Sequence, residues 1–325
     1  MKRTITVVLL NVVLFATTLP TFAQKGGEIV KPRHYKPLNL VKDTDVSDLT
    51  EFWVSVETLN MGFKKEDAAA TVIDLSDPKK YTIASYNGDR QFYTASVVKM
   101  FYMAALARQL EDGKIKLTPE LERGEKDMIV DSSNEATQYV LDVLTDTSSG
   151  AELPAKQFDA WQYKRNRVNR WLTSMGYTNI NINQKTFCED AYGIEQQSRN
   201  YKGQNRNMLT TDATARMLAE IVTYNIALPR GTEHMMNLMA RDPFTKKGGE
   251  QGSEFIGKAL VDLDLKNAKL WSKAGWTSKV RHDAAYIDFG NGQKIVVVIF
   301  TENNANNKNI IPEIAKSIIK AHSGK

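Results

Sequence analysis

The chain has 325 residues, 42% of them apolar, and 43 lysines and arginines against 38 aspartates and glutamates, a formal charge of +5. This length and apolar fraction support a full core, as one large domain or two interlocked ones, and the small positive excess is no nucleic-acid signature. A single cysteine, Cys188, excludes an intramolecular disulfide and reads as a core thiol, while His34, His234, His282 and His322 are too scattered for metal-ligand spacing.

The chain opens with Lys2-Arg3, an apolar run from Ile5 to Ala16, and Leu19-Pro20-Thr21-Phe22-Ala23. That is the layout of a secretory signal peptide cleaved before Gln24, so a secreted or periplasmic product of charge +3 is expected. No cysteine follows for a lipid anchor, and stable membrane insertion is not expected. Residues 24–44, with Pro32 and Pro37, read as a loosely held arm. Asp45 to Phe63 reads as a helix, with Leu49, Phe52, Trp53, Val56, Leu59 and Phe63 on a helical period. Ala70–Leu75 and Tyr81–Tyr86 read as strands joined through Asp77-Pro78.

From Ser96 the composition becomes that of a buried helix: Val97, Val98, Met100, Phe101, Met103, Ala104, Leu106 and Leu110 cover more than one face. Helices are predicted next from Pro119 to about Val130, through Ala136–Val143, from Gln157 to Met175, from a Thr210-Thr211-Asp212 cap through Val222, and from Thr232 to Ala240. Gln184–Asn207 reads as a long loop of the kind that often carries function. The basic run Lys164 to Arg170 reads as a solvated helix face. Lys269–Trp276, Ala284–Phe289 and Lys294–Thr301 read as strands, the last two joined by Asn291-Gly292, and Pro312–Ala321 as a closing helix. Strands at both ends with helices between predict an α/β chain of the α+β type. It would have a five-stranded antiparallel sheet with flanking helices and an all-helical lobe inserted over about residues 97–262. The expected division is a signal peptide (1–23), an arm and helix (24–64) and a catalytic domain (65–325).

Three polar motifs stand out against this frame: Ser96-Val97-Val98-Lys99, Ser132-Ser133-Asn134 and Lys273-Ala274-Gly275. The first two patterns are common alone; Ser-x-x-Lys recurs at Ser76–Lys79 and Ser317–Lys320, in a hairpin turn and on a terminal helix. Only Ser96 opens a buried helix, with Lys99 three residues on and on the same face. A lysine in so apolar a run must be paired or lose its proton. The plainer alternative is a helix cap with a snorkelling lysine.

In the order and setting of these motifs the chain resembles the penicillin-recognising serine enzymes, class A β-lactamases and low-molecular-weight D,D-peptidases, over roughly residues 65–325. The resemblance implies the β-lactamase/transpeptidase-like fold, with the site between sheet and helical lobe and no cofactor. It makes Ser96 the acylated nucleophile, Lys99 its base, Ser132 the proton relay, and Asn134 a contact to Lys99 and the substrate amide. The N–H groups of Ser96 and Trp276 would form the oxyanion hole on the Lys273-Ala274-Gly275 strand. Lys273, with Thr277 and Arg281, would bind the substrate carboxylate.

Three departures accompany it. Ser133 stands where class A enzymes usually have aspartate. Ala274 replaces the usual threonine or serine, removing a hydroxyl from the carboxylate pocket. No Glu-x-x-Leu-Asn precedes Thr210-Thr211, which leaves Glu195 the candidate for activating the deacylating water and Glu189 the second. Ser96 and Ser132 are also closer in sequence than class A usually has them, so a trimmed helical lobe is expected. The leading expectation is a β-lactamase-like hydrolase acting on small β-lactams. The alternatives are a D,D-carboxypeptidase or penicillin-binding protein acting on peptidoglycan peptides, and a non-catalytic penicillin-binding sensor. The histidine pattern disfavours a metal hydrolase, and His282-Asp283 reads as a structural pair at a strand edge.

Overall fold

Apolar residues run without a break from Ile295 to Phe300, and their alternation divides the core in two. Val296, Val298 and Phe300 enter one apolar cluster and Ile295, Val297 and Ile299 the other, as a strand covered on both faces requires. The computed structural model describes residues 27–245, 249–303 and 305–323; the signal-peptide reading of residues 1–23 lies outside the described residues. The strands are β1 (Leu40–Lys42), β2 (Ala68–Asp74), β3 (Tyr81–Tyr86), β4 (Phe92–Tyr93), β5 (Met208–Leu209), β6 (Ala240–Arg241), β7 (Lys269–Trp276), β8 (Val280–Asp288) and β9 (Lys294–Glu302). They form a sheet in the order β1-β3-β2-β9-β8-β7-β6, with β4 and β5 paired separately. Five long antiparallel strands are those expected. The sheet has seven because β1 joins one edge, parallel to β3, and the two-residue β6 joins β7 at the other.

The helices are α1 (Thr44–Asn60), α2 (Val98–Glu111), α3 (Pro119–Ile129), α4 (Asn134–Thr145), α5 (Ala155–Arg165), α6 (Arg167–Ser174), α7 (Ile194–Arg199), α8 (Thr211–Val222), α9 (Pro229–Met239), α10 (Gly249–Ser253), α11 (Ile256–Asp262) and α12 (Ile310–Ser323). α12 buries Ile310, Ile311, Ile314, Ala315, Ile318 and Ile319 against one face of the sheet, a helical stripe in which each large aliphatic contributes about 1.5–3 kcal/mol on burial. α8 covers the other face, capped by the Thr210 hydroxyl on Ala213 N. α2 lies behind it with Val98 to Leu106 fully buried, which explains why its sequence is apolar all round. Among the described residues no helix is long and apolar enough to cross a membrane.

Several local expectations are corrected. The arm is not loosely held: Glu28 pairs with Arg170 at 2.6 Å, the Tyr35 hydroxyl donates to Glu220 at 2.8 Å, and Ile29 is buried. α1 forms, but it packs through Ser47, Thr50, Val54 and Thr58 and leaves Phe52, Trp53 and Leu59 outside; small side chains let it lie close to the sheet and to α12. The single helix expected over Gln157–Met175 breaks at Asn166 into α5 and α6, and the long loop contains α7. β8 begins at Val280 rather than Ala284, so His282 and Asp283 lie inside the sheet, not at an edge. The His282 ring bridges Tyr93 O and Thr301 N, and burial lowers its pKa to about 4.

Candidate active site

Three segments converge at the C-terminal end of β7. The first is the single 3-10 turn Ala95–Val97 that leads into α2. Ala95 has a φ of 42°, a conformation that a residue with a Cβ adopts only at a cost. It presents Ser96, half-buried, with Lys99 one turn further along. The second is the turn into α4. Ser132 takes a φ of 58°, and Ser133 caps the helix by accepting from Ala136 N at 3.1 Å. The serine in the middle of that motif therefore has a local structural task. The third is β7, whose Gly275 lies so close to Ser96 that a Cβ there would be 2.5 Å from Ser96 N. Only glycine permits that approach.

These segments bring two lysines onto one hydroxyl. Lys99 Nζ donates to Ser132 O at 2.5 Å and Asn134 Oδ1 at 3.0 Å, and lies 3.3 Å from Ser132 Oγ. Lys273 Nζ donates to the same Oγ at 3.0 Å, to Gln251 Oε1 at 2.9 Å and to Ala274 O at 2.8 Å. Both lysines are fully buried. Burial lowers the Lys99 pKa to about 7, against an opposing pull from Glu135. Burial and the Lys99 charge take Lys273 well below the usual lysine range. A lysine that loses its proton near neutrality can act as a base; once neutral, Lys99 can accept from Ser132 Oγ, the longest of its three contacts.

β7 also supplies backbone donors. Thr277 N bonds Val280 O at 2.9 Å, so antiparallel alternation turns the N–H groups of Ala274 and Trp276 away from β8. β6 covers only Leu270 and Trp271 on that side. Ala274 N is taken by Gln251 Oε1 at 3.3 Å; the next N–H along the edge, Trp276's, faces the cleft. That cleft measures about 540 Å³ and is lined by Ser132, Arg241, Gln251 and the exposed Trp276 among others.

Thr277 and Arg281, expected at the carboxylate pocket, are engaged elsewhere. The Thr277 hydroxyl accepts from Lys279 N and Val280 N in the β7–β8 turn. Arg281 is buried, its guanidinium 4.0 Å above the Phe255 ring and 3.6 Å from a Glu254 oxygen. In their place the cleft holds two residues that the motifs did not flag. Gln251 bridges Val130 O, Lys273 and Ala274 N. Arg241 donates to the carbonyls of Ile129, Leu238 and Ala240 and has no carboxylate within ion-pair distance among the described residues. An arginine tied to helix-end carbonyls, without periodic company, leaves no sequence signal.

Glu195 is not hydrogen-bonded to Ser96, Lys99, Ser132 or Asn134. Its oxygens receive Arg165 at 2.7 and 2.9 Å and Ser149 at 2.9 Å, with Lys185 at 3.3 Å. Burial alone would raise its pKa, but Arg165 and Lys185 outweigh that and hold it below the usual range. Glu189 is exposed. Cys188, expected in the core, is also exposed, with Asn134 Nδ2 3.4 Å from its Sγ.

Residues 55–322 match the β-lactamase enzyme family. The chain belongs to that family. A β-lactamase from Sphaerobacter thermophilus DSM 20745 is similar in fold, with a TM-score of 0.61 at 19% identity over 86% of this chain and 98% of that one. A point mutant of PBP-A, in an acyl-enzyme complex with penicillin G, has a TM-score of 0.60 at 17% identity over 87% and 98%. A class A β-lactamase representative from Bacteroides cellulosilyticus DSM 14838 has 0.61 at 15% over 86% and 99%. No curated protein matches the chain in sequence. Membership in the β-lactamase family makes the protein a hydrolase of the β-lactamase type.

Two substitutions probe the geometry. Gly275→Ala should push β7 off the Ser96 turn and abolish penicillin labelling at Ser96 while the protein remains folded by circular dichroism. Glu195→Gln should break a buried ion pair, costing about 3–5 kcal/mol in denaturant titration, with the lifetime of the Ser96 adduct unchanged; an adduct that persists much longer in a folded variant would return Glu195 to the chemistry.

Proposed function

We propose that the protein is a penicillin-recognising acyl-serine enzyme whose adduct on Ser96 is long-lived, nearer to a D,D-peptidase than to a fast β-lactamase. The observation that carries this reading is the Ser132 hydroxyl held between Lys99 and Lys273, 3.3 and 3.0 Å from their nitrogens. Neutral Lys99 takes the Ser96 proton as Oγ attacks the lactam or peptide carbonyl carbon. The oxyanion is received by the N–H groups of Ser96 and Trp276, each such donor typically contributing about 2.7–4 kcal/mol. As the C–N bond breaks, Ser132 Oγ protonates the departing nitrogen and is reprotonated from Lys99. An acyl-serine remains, with Lys99 neutral again.

Deacylation needs a base beside the incoming water. Neither Glu195, held by Arg165 and Lys185, nor another carboxylate hydrogen-bonds to Lys99 or Asn134 among the described residues, which supports slow release. The substrate carboxylate would enter the cleft beside Trp276 and Arg241, because Lys273 Nζ is already engaged by Ser132 Oγ, Gln251 Oε1 and Ala274 O. The acyl-enzyme of the PBP-A mutant with penicillin G supports the choice of probe. Export through residues 1–23 is part of the same proposal.

Intact mass spectrometry after mixing with benzylpenicillin should show one adduct that persists for minutes and is absent from Ser96→Ala. An adduct lost within seconds as penicilloate accumulates would favour a β-lactamase, and no adduct would overturn the acylation reading. The acylation rate should rise with pH through a midpoint near 7, since burial sets Lys99 at about 7 and only its neutral form is the base. Lys99→Met should lower that rate by about 10²–10⁴-fold; a flat profile from pH 5 to 9 would exclude Lys99 as the base.

A further inference from the structure

Away from the cleft at Ser132 and Trp276, α5, α6 and the segments 181–183 and 201–205 enclose a second cleft of about 730 Å³ that shares none of the candidate active-site residues. Its volume suits a small ligand, and its lining is mainly carboxamide. Asn169 Nδ2 donates to Asn166 Oδ1 and Asn181 Oδ1, both at 2.7 Å, and Asn181 Nδ2 to Asn205 Oδ1 at 2.8 Å. These bonds fix the amides in orientation before any ligand arrives.

Two donors are left over. Gln162 is only 5% exposed, and its Oε1 accepts from Ser198 Oγ at 2.7 Å. The Ser198 hydroxyl itself accepts from Gln184 Nε2, so its hydrogen must go to Gln162, which turns Gln162 Nε2 toward the cleft with no partner among the described residues. Asn166 has the same pattern: its Oδ1 accepts from both Asn169 and Asn183, and its Nδ2 is unpartnered among the described residues.

The rim adds aromatic rings. Tyr163, 60% exposed, is held flat by the Arg170 guanidinium 3.8 Å from its centroid. Tyr201 is braced edge-on by Phe158. Arg170 is neutralised by Glu28, leaving Asp159 and Lys202 as opposing charges. Such a lining is too polar for a lipid or an apolar peptide and too balanced for a phosphate. Directed amide donors beside aromatic plates suit the hydroxyls, carbonyls and C–H faces of a sugar.

We propose that this cleft binds a neutral saccharide bearing acetamido groups, whose carbonyls accept from Gln162 and Asn166 while a ring lies on Tyr163. The site is separate from the Ser96 chemistry and does not depend on it. Its effect would be to hold the enzyme on an N-acetylated glycan.

The test is calorimetric titration of the full chain with tri-N-acetylchitotriose, with maltotriose as the sugar lacking acetamido groups. Saturable binding of chitotriose alone is expected. Tyr163→Ala should weaken it at least about tenfold, a loss of about 1.4 kcal/mol, and Gln162→Ala should also weaken it. Penicillin labelling of Ser96 should be unchanged in Tyr163→Ala, which separates this outcome from the fate of the acylation reading. No saturable binding, or binding that both substitutions leave intact, would overturn the proposal. Equal binding of maltotriose would overturn the acetamido assignment.

Discussion

Two buried amines share one hydroxyl, and the geometry of the cleft follows from that sharing. Neither Lys99 nor Lys273 has a carboxylate within ion-pair distance among the described residues; the neighbours that receive them are Ser132 O, Asn134 Oδ1, Gln251 Oε1 and Ala274 O. Dipoles alone compensate a buried ammonium poorly, so the favourable response is loss of a proton. The Lys99 charge adds to burial in lowering the pKa of Lys273. To hold the arrangement, α2, the α4 turn and β7 must meet within a few ångströms. The chain concedes left-handed backbone at Ala95 and Ser132 and a bare Cα at Gly275 to achieve it.

The helical side of the cleft is organised on the opposite electrostatic plan. Arg165 and Lys185 are almost completely buried, yet each meets Asp142 and Glu195. This closed four-charge cluster anchors α7 and the start of the long loop to α4 and α5. In this cluster each buried cation meets carboxylates, whereas Lys99 and Lys273 meet only hydroxyl and carbonyl oxygens. The same chain thus buries cations once among acids and once among dipoles alone.

The five long strands and most helices were legible because their periods are long and regular, as in β9 and α12. The three-motif site was legible because its residues sit at short spacing on well-marked elements. Gln251 and Arg241 were not, since they reach the cleft from short irregular segments after α9 and act through backbone carbonyls. Glu195 shows the converse: its distance from Thr210 suggested chemistry, but Arg165, on another helix, claims its carboxylate. The start of β8 is hidden in the sequence because Arg281-His282-Asp283 reads as polar, although inside the sheet the His282 ring bridges Tyr93 O and Thr301 N and an Asp283 oxygen accepts from Ile256 N. The helical period of α1 points to the wrong face because small side chains, not its large apolar ones, make the close contact.

The strand order has a consequence for the birth of the molecule. β2 lies between β3, a few residues on, and β9, near the far end of the chain; the Asn303–Asp67 hydrogen bond alone spans 236 residues. Until β8 and β9 have emerged, β2 pairs only with β3, itself edged by β1, and its other edge stays unpaired and open to other chains. Closing so long a loop carries a large entropic cost before any contact repays it, which makes for slow folding. The turn that presents Ser96 packs on β7 and β8, so a growing chain cannot settle Ser96 early. Activity can appear only after β8 and β9 have been made and have paired with β2 and β7.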